Sequence, residues 1–166
     1  MIYGIFALLR IDPALLVPSA GPRAFISYAR EDRRIAVRLE LGLRQHGILP
    51  WVDVSQRLLG TLLAENIARA VGAAHTFIVL ISRSSVESKW VRLEIEYALQ
   101  AHLRAGVRIL PVLLDGTPAP SALEPFWSEV VQEWDEESIA RIGQSCREAW
   151  AEMRVATIVG ESSGKG

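Results

Sequence analysis

The sequence predicts a doubly wound α/β domain with a parallel sheet of about five strands, and three observations lead to this fold class. Short apolar runs alternate along the chain with segments whose apolar residues recur at helical spacing. The runs are apolar at successive positions, which is typical of parallel strands that are buried on both faces. With 166 residues, 50% of them hydrophobic, the chain has room for one such domain and short additional segments.

The predicted strands and helices follow one another in simple alternation. Strands are predicted, in chain order, at residues 23–28, 48–52, 75–82, 107–114 and 129–133. Helices are predicted between and after them, at residues 32–47, 62–71, 88–103 and 136–153. Asp32 and Ser88 are suited to cap the first and third helices, and Gly47 is suited to end the first. In such a sheet, ligands bind beyond the carboxyl ends of the strands, so site residues are expected in the loops that follow them.

Proline and glycine positions set the predicted domain boundaries. Residues 11–22 contain three prolines and a glycine, which is typical of a linker. The chain is therefore divided into an N-terminal extension and linker (1–22), the domain (23–155) and a flexible C-terminal tail or linker (156–166). The apolar stretch 2–9 lacks the basic residues that open a signal peptide, and it is shorter than the roughly 20 residues that span a bilayer. It is expected to pack, as a strand or a helix, on the domain or on a neighbouring one.

Charge and cysteine content limit the function classes. Eighteen basic residues against nineteen acidic ones give a net charge of −1, which argues against a direct nucleic-acid partner. No apolar run is long enough to predict a membrane partner. The single cysteine, Cys146, cannot form an internal disulfide, which fits a cytoplasmic location, and its apolar-periodic position predicts a core thiol. His46, His75 and His102 lie on separate elements, so no metal site is predicted.

One carboxylate of the third predicted helix is out of place. At about 100° per residue from Trp90, Glu94 lies at roughly 40°, within an arc that also holds Val91 and Ile95. Glu96 lies at roughly 240°, on the polar side of the same helix. Because an unpaired carboxylate is costly to bury, Glu94 must be paired, hydrogen-bonded or functional. The pattern leaves open a structural ion pair or an edge position, just as Trp90 is either a core residue or one wall of a pocket.

Four motifs carry a resemblance to a known family. They are RAFISYAREDR at 23–33, PWVDV at 50–54 with its loop up to Gly60, FIVLISRSSVESKW at 77–90, and the W-x-x-x-E of Trp90 and Glu94. In this order and spacing they resemble TIR (Toll/interleukin-1 receptor) domains, especially bacterial ones of the NAD⁺-cleaving type, over residues 23–155. The resemblance implies a flavodoxin-like sheet flanked by helices, the same fold class that the apolar pattern predicts.

The resemblance also implies an enzyme. Many bacterial TIR domains cleave the nicotinamide–ribose bond of NAD⁺, giving nicotinamide and ADP-ribose or a cyclic isomer, so that NAD⁺ is the substrate and no cofactor is implied. They commonly act as effectors of anti-phage defence that are activated by oligomerisation, which implies a sensor domain or subunit outside this chain. Two alternatives stay open: a non-catalytic adaptor that acts by TIR–TIR assembly, and a receiver-like domain, for which only Asp53 lies near a suitable strand end.

Site residues are carried over from the family by matching motif positions. Glu94, the acid of W-x-x-x-E, matches the catalytic residue. Tyr28 matches a position that lines the nucleotide site, and Arg30 and Trp90 match positions near the substrate. Arg57, in the loop after the second strand, is assigned to substrate binding with them.

The loop at residues 53–60 matches the mobile BB loop that pairs neighbouring TIR subunits, so self-association through this loop is implied. It departs from the family pattern, because Gly60 is followed by Thr61 and two leucines where many relatives have an aromatic residue. Leu58 and Leu59 make the loop more apolar than a charged substrate needs. This either weakens substrate contacts or marks a partner surface.

Overall fold

A computed structural model describes residues 21–52 and 61–163 of the chain. Its strands are β1 (Arg23–Ser27), β2 (Leu49–Val52), β3 (Thr76–Ile81), β4 (Arg108–Leu113) and β5 (Glu129–Val130). Its helices are α1 (Arg33–Gln45), α2 (Thr61–Ala73), α3 (Arg83–Glu87), α4 (Lys89–Ala105) and α5 (Glu136–Ser163), with 3-10 turns at Arg30–Asp32 and Ser121–Leu123. The predicted packing of residues 2–9 and the predictions for the loop at 53–60, including Arg57, lie outside the described residues.

The five strands form one parallel sheet in the order β2-β1-β3-β4-β5. This confirms the predicted doubly wound α/β fold, in the strand order of flavodoxin-like sheets. The chain moves outward from β1 to β2 and then returns to place β3 on the other side of β1. The crevice at such a switch point lies beyond the carboxyl ends of β1 and β3, where this class of sheet places its ligands.

Two apolar clusters cover the two faces of the sheet, because successive side chains of a strand point to opposite sides. The first cluster joins Phe25, Phe77 and Val79 of the sheet to α2 and α4. The second joins Ile26 and Ile78 to α1 and α5. Cys146 of α5 lies fully buried in the second cluster, which confirms the predicted core thiol, and burial raises its pKa to about 12.

Several element ends differ from the sequence-based prediction. Asp32 precedes α1 as predicted, but its carboxylate makes no capping bond there and instead accepts a hydrogen bond of 2.6 Å from the Ser82 hydroxyl. Helix α3 was not expected; it starts with a reciprocal pair in which Ser82 and Ser85 each bond the other's backbone N–H. The predicted cap of α4 is confirmed, since Ser88 Oγ accepts from the backbone N–H of Val91 at 3.3 Å. Helix α5 continues to Ser163, ten residues beyond its predicted end at 153.

The contact between α1 and α5 depends on a glycine. A Cβ atom at Gly42 would lie 2.6 Å from Cγ2 and 2.9 Å from Cδ1 of Ile139, so the two helices pack too closely for a side chain there. Overpacking of this kind costs about 1–3 kcal/mol, whereas alanine improves helix propensity by up to about 1 kcal/mol.

We therefore expect Gly42→Ala to lower the free energy of unfolding by about 1 kcal/mol net, as measured by chemical denaturation. Gly72 of α2 is the matched control, because a Cβ there meets nothing within 4 Å. Gly72→Ala should be neutral or stabilising by roughly 0.5 kcal/mol. Equal effects of the two substitutions would contradict the close α1–α5 contact.

His75, which directly precedes β3, makes stability depend on pH. Its Nδ1 accepts a hydrogen bond of 2.9 Å from the backbone N–H of Arg23, and burial, with the Arg23 charge second, lowers its pKa from 6.5 to about 4. The unfolded chain therefore binds a proton more readily than the folded one between these two values. The stability that His75 contributes is complete above pH 6.5 and is lost as the pH falls towards 4.

For this half-exposed ring we expect a loss of about 1–2 kcal/mol over that window. The free energy of unfolding, measured by denaturation at several pH values between 4 and 7, should depend less steeply on pH for His75→Asn than for the unmodified protein. Taking the difference of the two curves removes the contribution of all other titrating groups. Parallel curves would refute the assignment to His75.

The outer edge of β4 is only partly covered. Strand β5 pairs with Val112 and Leu113, and no strand of the described residues pairs with the earlier part of β4 on that side. The Leu113 carbonyl accepts from the Val131 N–H at 3.1 Å, so every second residue back from Leu113 directs its backbone groups to this edge. Pro111 is one of these, and it has no N–H to present.

Candidate active site

Glu94 lies in the second turn of α4 and is almost completely buried, with 1% of its surface exposed. Val91, Ile95 and Ala98 on the same side of the helix are buried as well, and they pack on the sheet. Glu96, two residues further on, is exposed. The prediction that this helix turns one carboxylate towards the sheet and one towards solvent is therefore confirmed.

Ser27 meets Glu94 from the sheet. It is the last residue of β1, fully buried, and its side chain lies on the same face as that of Phe25, because alternate residues of a strand share a face. Its hydroxyl donates a hydrogen bond to Glu94 Oε2, across 67 positions of sequence. The carboxylate is thus held at the carboxyl end of β1, next to the β1–β3 switch point where a ligand is expected.

Trp90 lies one turn before Glu94 on α4. Its half-buried side chain packs against the cluster that contains Phe25 and Trp51. The Trp51 ring makes an edge-to-face contact with the Phe25 ring, and the two ring centroids are 4.6 Å apart. The structure therefore places Trp90, Glu94 and an aromatic group from β1 and β2 on the same side of the sheet.

The other two predicted site residues of the described chain, Tyr28 and Arg30, follow the end of β1. Tyr28 is buried and packs into the cluster formed with α1 and α5, on the opposite face from Ser27. Arg30 is exposed in the 3-10 turn after β1, at the rim of the carboxyl edge. Arg57 lies outside the residues that the structure describes. The sequence could have indicated that Tyr28 and Ser27 lie on opposite faces, because successive side chains of a strand alternate between the two faces of the sheet.

Polar contacts that the sequence did not predict join the loops of this edge. Asp32, after β1, is half-buried, and burial raises its pKa against the opposing effect of the Ser82 hydroxyl bond. Asp115, after β4, accepts bonds of 3.1 Å from the backbone N–H groups of Thr117 and Arg83, and hydrogen bonds, Thr117 foremost, lower its pKa. These carboxylates tie the loops after β1, β3 and β4 into one rim.

Two hollows of the described surface lie away from Glu94. A cavity of about 620 Å³ lies beside the amino-terminal half of β4 and is lined by His102, Arg108 and Trp127, among others. A second, of about 510 Å³, lies between the outer face of α4 and residues 117–122. Within residues 21–52 and 61–163, no three His, Cys, Asp or Glu side chains are arranged to hold a metal ion. No described helix is long and apolar enough to cross a membrane.

Sequence comparison connects this chain to a family. The family model described as TIR domain matches residues 24–143. Among curated proteins, the chain is similar to the 2′ cyclic ADP-D-ribose synthase BtTIR of Bacteroides thetaiotaomicron, with 33% identity over 89 residues. The match takes in 53% of this chain and 31% of that protein, so the chain spans less than a third of its curated relative.

Comparison with solved structures gives the same fold. The TIR domain of the Toll-related receptor TRR-2 from Hydra magnipapillata superposes with a TM-score of 0.57 and 22% identity, covering 79% of this chain and 97% of that one. The RPS4 and RRS1 TIR domain heterodimer matches with a TM-score of 0.55 and 16% identity, covering 77% and 97%. At these identities the likeness concerns the fold.

Proposed function

Since the chain belongs to the TIR domain family, we propose that it cleaves the nicotinamide–ribose bond of NAD⁺, with Glu94 as the catalytic residue. The observation that carries the proposal is the buried carboxylate of α4, held by Ser27 at the carboxyl edge of the sheet. The similarity to a 2′ cyclic ADP-D-ribose synthase supports the same chemistry. Nicotinamide is released together with ADP-ribose or a cyclic isomer.

The reaction suits a site with a single acid. Nicotinamide leaves as a neutral pyridine from a cationic ring, so its departure needs no general acid. Cleavage passes through an oxocarbenium-like state, as in glycoside hydrolysis. A carboxylate that is already fixed in place stabilises the positive charge developing at the ribose C1′, and the apolar surroundings of Val91 and Ile95 strengthen this effect.

The remaining groups fit parts of the dinucleotide. Trp90 offers an aromatic face, one turn from Glu94, on which nicotinamide or a base stacks. Arg30 is an exposed cation at the rim and suits the diphosphate, which a guanidinium binds through paired N–H groups. Tyr28 is buried on the other face, so in this proposal it supports the end of β1 and does not stack on the substrate.

The experiment is to incubate the purified protein with NAD⁺ and to quantify nicotinamide and nucleotide products by mass spectrometry. ADP-ribose would identify water as the group that attacks C1′, and a cyclic isomer would identify a ribose hydroxyl. Nicotinamide release above the no-protein control supports the proposal. If no nicotinamide is released at any protein concentration, the proposal fails.

We extend the proposal to regulation, as an oligomerisation-activated effector of bacterial anti-phage defence that is switched on by a sensor outside this chain. The supporting observation is that β2 ends at Val52 on the carboxyl edge of the sheet, and that residues 53–60 follow it in the sequence. Turnover per subunit should then rise with protein concentration, in parallel with the mass measured by light scattering. Full turnover by the dilute monomer would rule out activation by assembly.

A further inference from the structure

We propose that Ser27 is a positioning residue for the reaction, fixing the orientation of the Glu94 carboxylate through the hydroxyl bond to Oε2. The inference rests on the proposed NAD⁺ cleavage and adds a second residue to it. It assigns Ser27 a role in turnover that goes beyond filling the end of β1.

A serine is unexpected at this place in the sheet. Strand β1 lies between β2 and β3, and its neighbours on the same face are large apolar residues such as Phe25 and Phe77. A fully buried hydroxyl in such surroundings is costly unless it makes a hydrogen bond. Its partner here is the carboxylate of Glu94, so the hydrogen bond to the acid on α4 explains how a hydroxyl can be buried at the end of β1.

The type of donor matters for the chemistry. An arginine or lysine in the place of Ser27 would also satisfy the carboxylate, but it would cancel the charge that stabilises an oxocarbenium-like state. A hydroxyl is a neutral donor, so it orients the carboxylate and leaves the negative charge in place. Ser27 therefore gives the buried Glu94 Oε2 a hydrogen-bond donor without placing a positive charge beside it.

Ser27 is held rigidly by the sheet. Its backbone belongs to β1 and lies in register with Val79 of β3, and its side chain has one rotatable bond before the hydroxyl. Glu94 has three, and each would otherwise let the carboxylate move relative to the substrate. A displacement of about 1 Å in a catalytic group costs on the order of 100-fold in rate.

The test compares variants that differ in the hydroxyl at matched volume. Ser27→Ala and Ser27→Val remove it, and Ser27→Thr keeps it in a side chain with the shape of valine. We expect kcat for NAD⁺ to fall about 10- to 100-fold in the alanine and valine variants, with KM changed by no more than about twofold. The threonine variant should recover kcat to within about threefold of the unmodified protein. Ser138→Ala, which removes another buried hydroxyl (bonded to the Glu133 carbonyl), should leave kcat unchanged.

A second readout does not depend on turnover. In protein labelled with ¹³C at glutamate side-chain carboxyls, the Glu94 signal should shift in Ser27→Ala and stay in place in Ser138→Ala. If Ser27→Thr or Ser27→Val fails to fold, as judged by circular dichroism, the inference is tested by kcat and by the Glu94 carboxyl signal of Ser27→Ala. An unshifted signal, or equal kcat in Ser27→Ala, overturns the inference. If the unmodified protein releases no nicotinamide, the proposed function is overturned. A shift of the Glu94 signal between the unmodified protein and Ser27→Ala would still establish that Ser27 orients the carboxylate.

Discussion

Replacement of Glu94 by glutamine is expected to lower NAD⁺ cleavage by about 10³-fold or more. The amide has the size of the carboxylate, and its oxygen can still accept the hydrogen bond from Ser27. The fold should therefore be retained, and what is lost is the negative charge beside the ribose C1′. The measurement is the rate of nicotinamide release at saturating NAD⁺, for protein whose folding has been checked by its thermal unfolding.

Glu96 provides the matched control for this substitution. It lies on the same helix, two residues from Glu94, and faces solvent, so Glu96→Gln should keep the rate within about twofold. Equal release by the unmodified protein and Glu94→Gln would exclude Glu94 as the catalytic residue. If the unmodified protein is inactive and Glu94→Ala still binds TIR partners normally, the adaptor alternative is favoured.

Truncation of Phe25 is expected to have the largest effect on stability. Phe25 is fully buried in the centre of the sheet, stacked on Phe77 at 5.5 Å and in edge contact with Trp51 at 4.6 Å between ring centroids. Phe25→Ala should lower the free energy of unfolding by about 3–5 kcal/mol, a large part of the roughly 5–15 kcal/mol that typically holds a domain together.

Denaturant titration followed by circular dichroism measures this loss. Trp127 is the control, because its larger aromatic side chain is 83% exposed. Trp127→Ala should change the free energy of unfolding by no more than about 0.5 kcal/mol. A comparable loss in both variants would mean that the Phe25 cluster is not the main apolar core.

The parts of the fold that the sequence predicts well are those determined by burial within one element. The apolar runs of β1, β3 and β4 have the continuous character that parallel strands require, and the 3.6-residue period of α4 turns Glu94 inward and Glu96 outward. Each of these signals lies within a few consecutive residues. Helix α3 is missed because a five-residue helix is too short to show a period.

The contacts that build the site are harder to predict, because they join distant segments. Ser27 and Glu94 are 67 positions apart, and Asp32 and Ser82 are 50 apart. Their meeting depends on the order of the strands, which decides which loops share an edge. Asp32 illustrates the limit: its place before α1 predicts a cap, but the hydroxyl of Ser82, brought close by β3, is the partner that it bonds.

Pro111 has a consequence for how this domain behaves when many copies are crowded together. An unpaired strand margin is a template on which an extended segment of another molecule can add, and this is a common first step towards fibrils. On β4 that margin is interrupted by an imide nitrogen, which offers an incoming chain no proton to share. Pro111 thereby removes one of the backbone donors on which the addition of another chain along this border would depend.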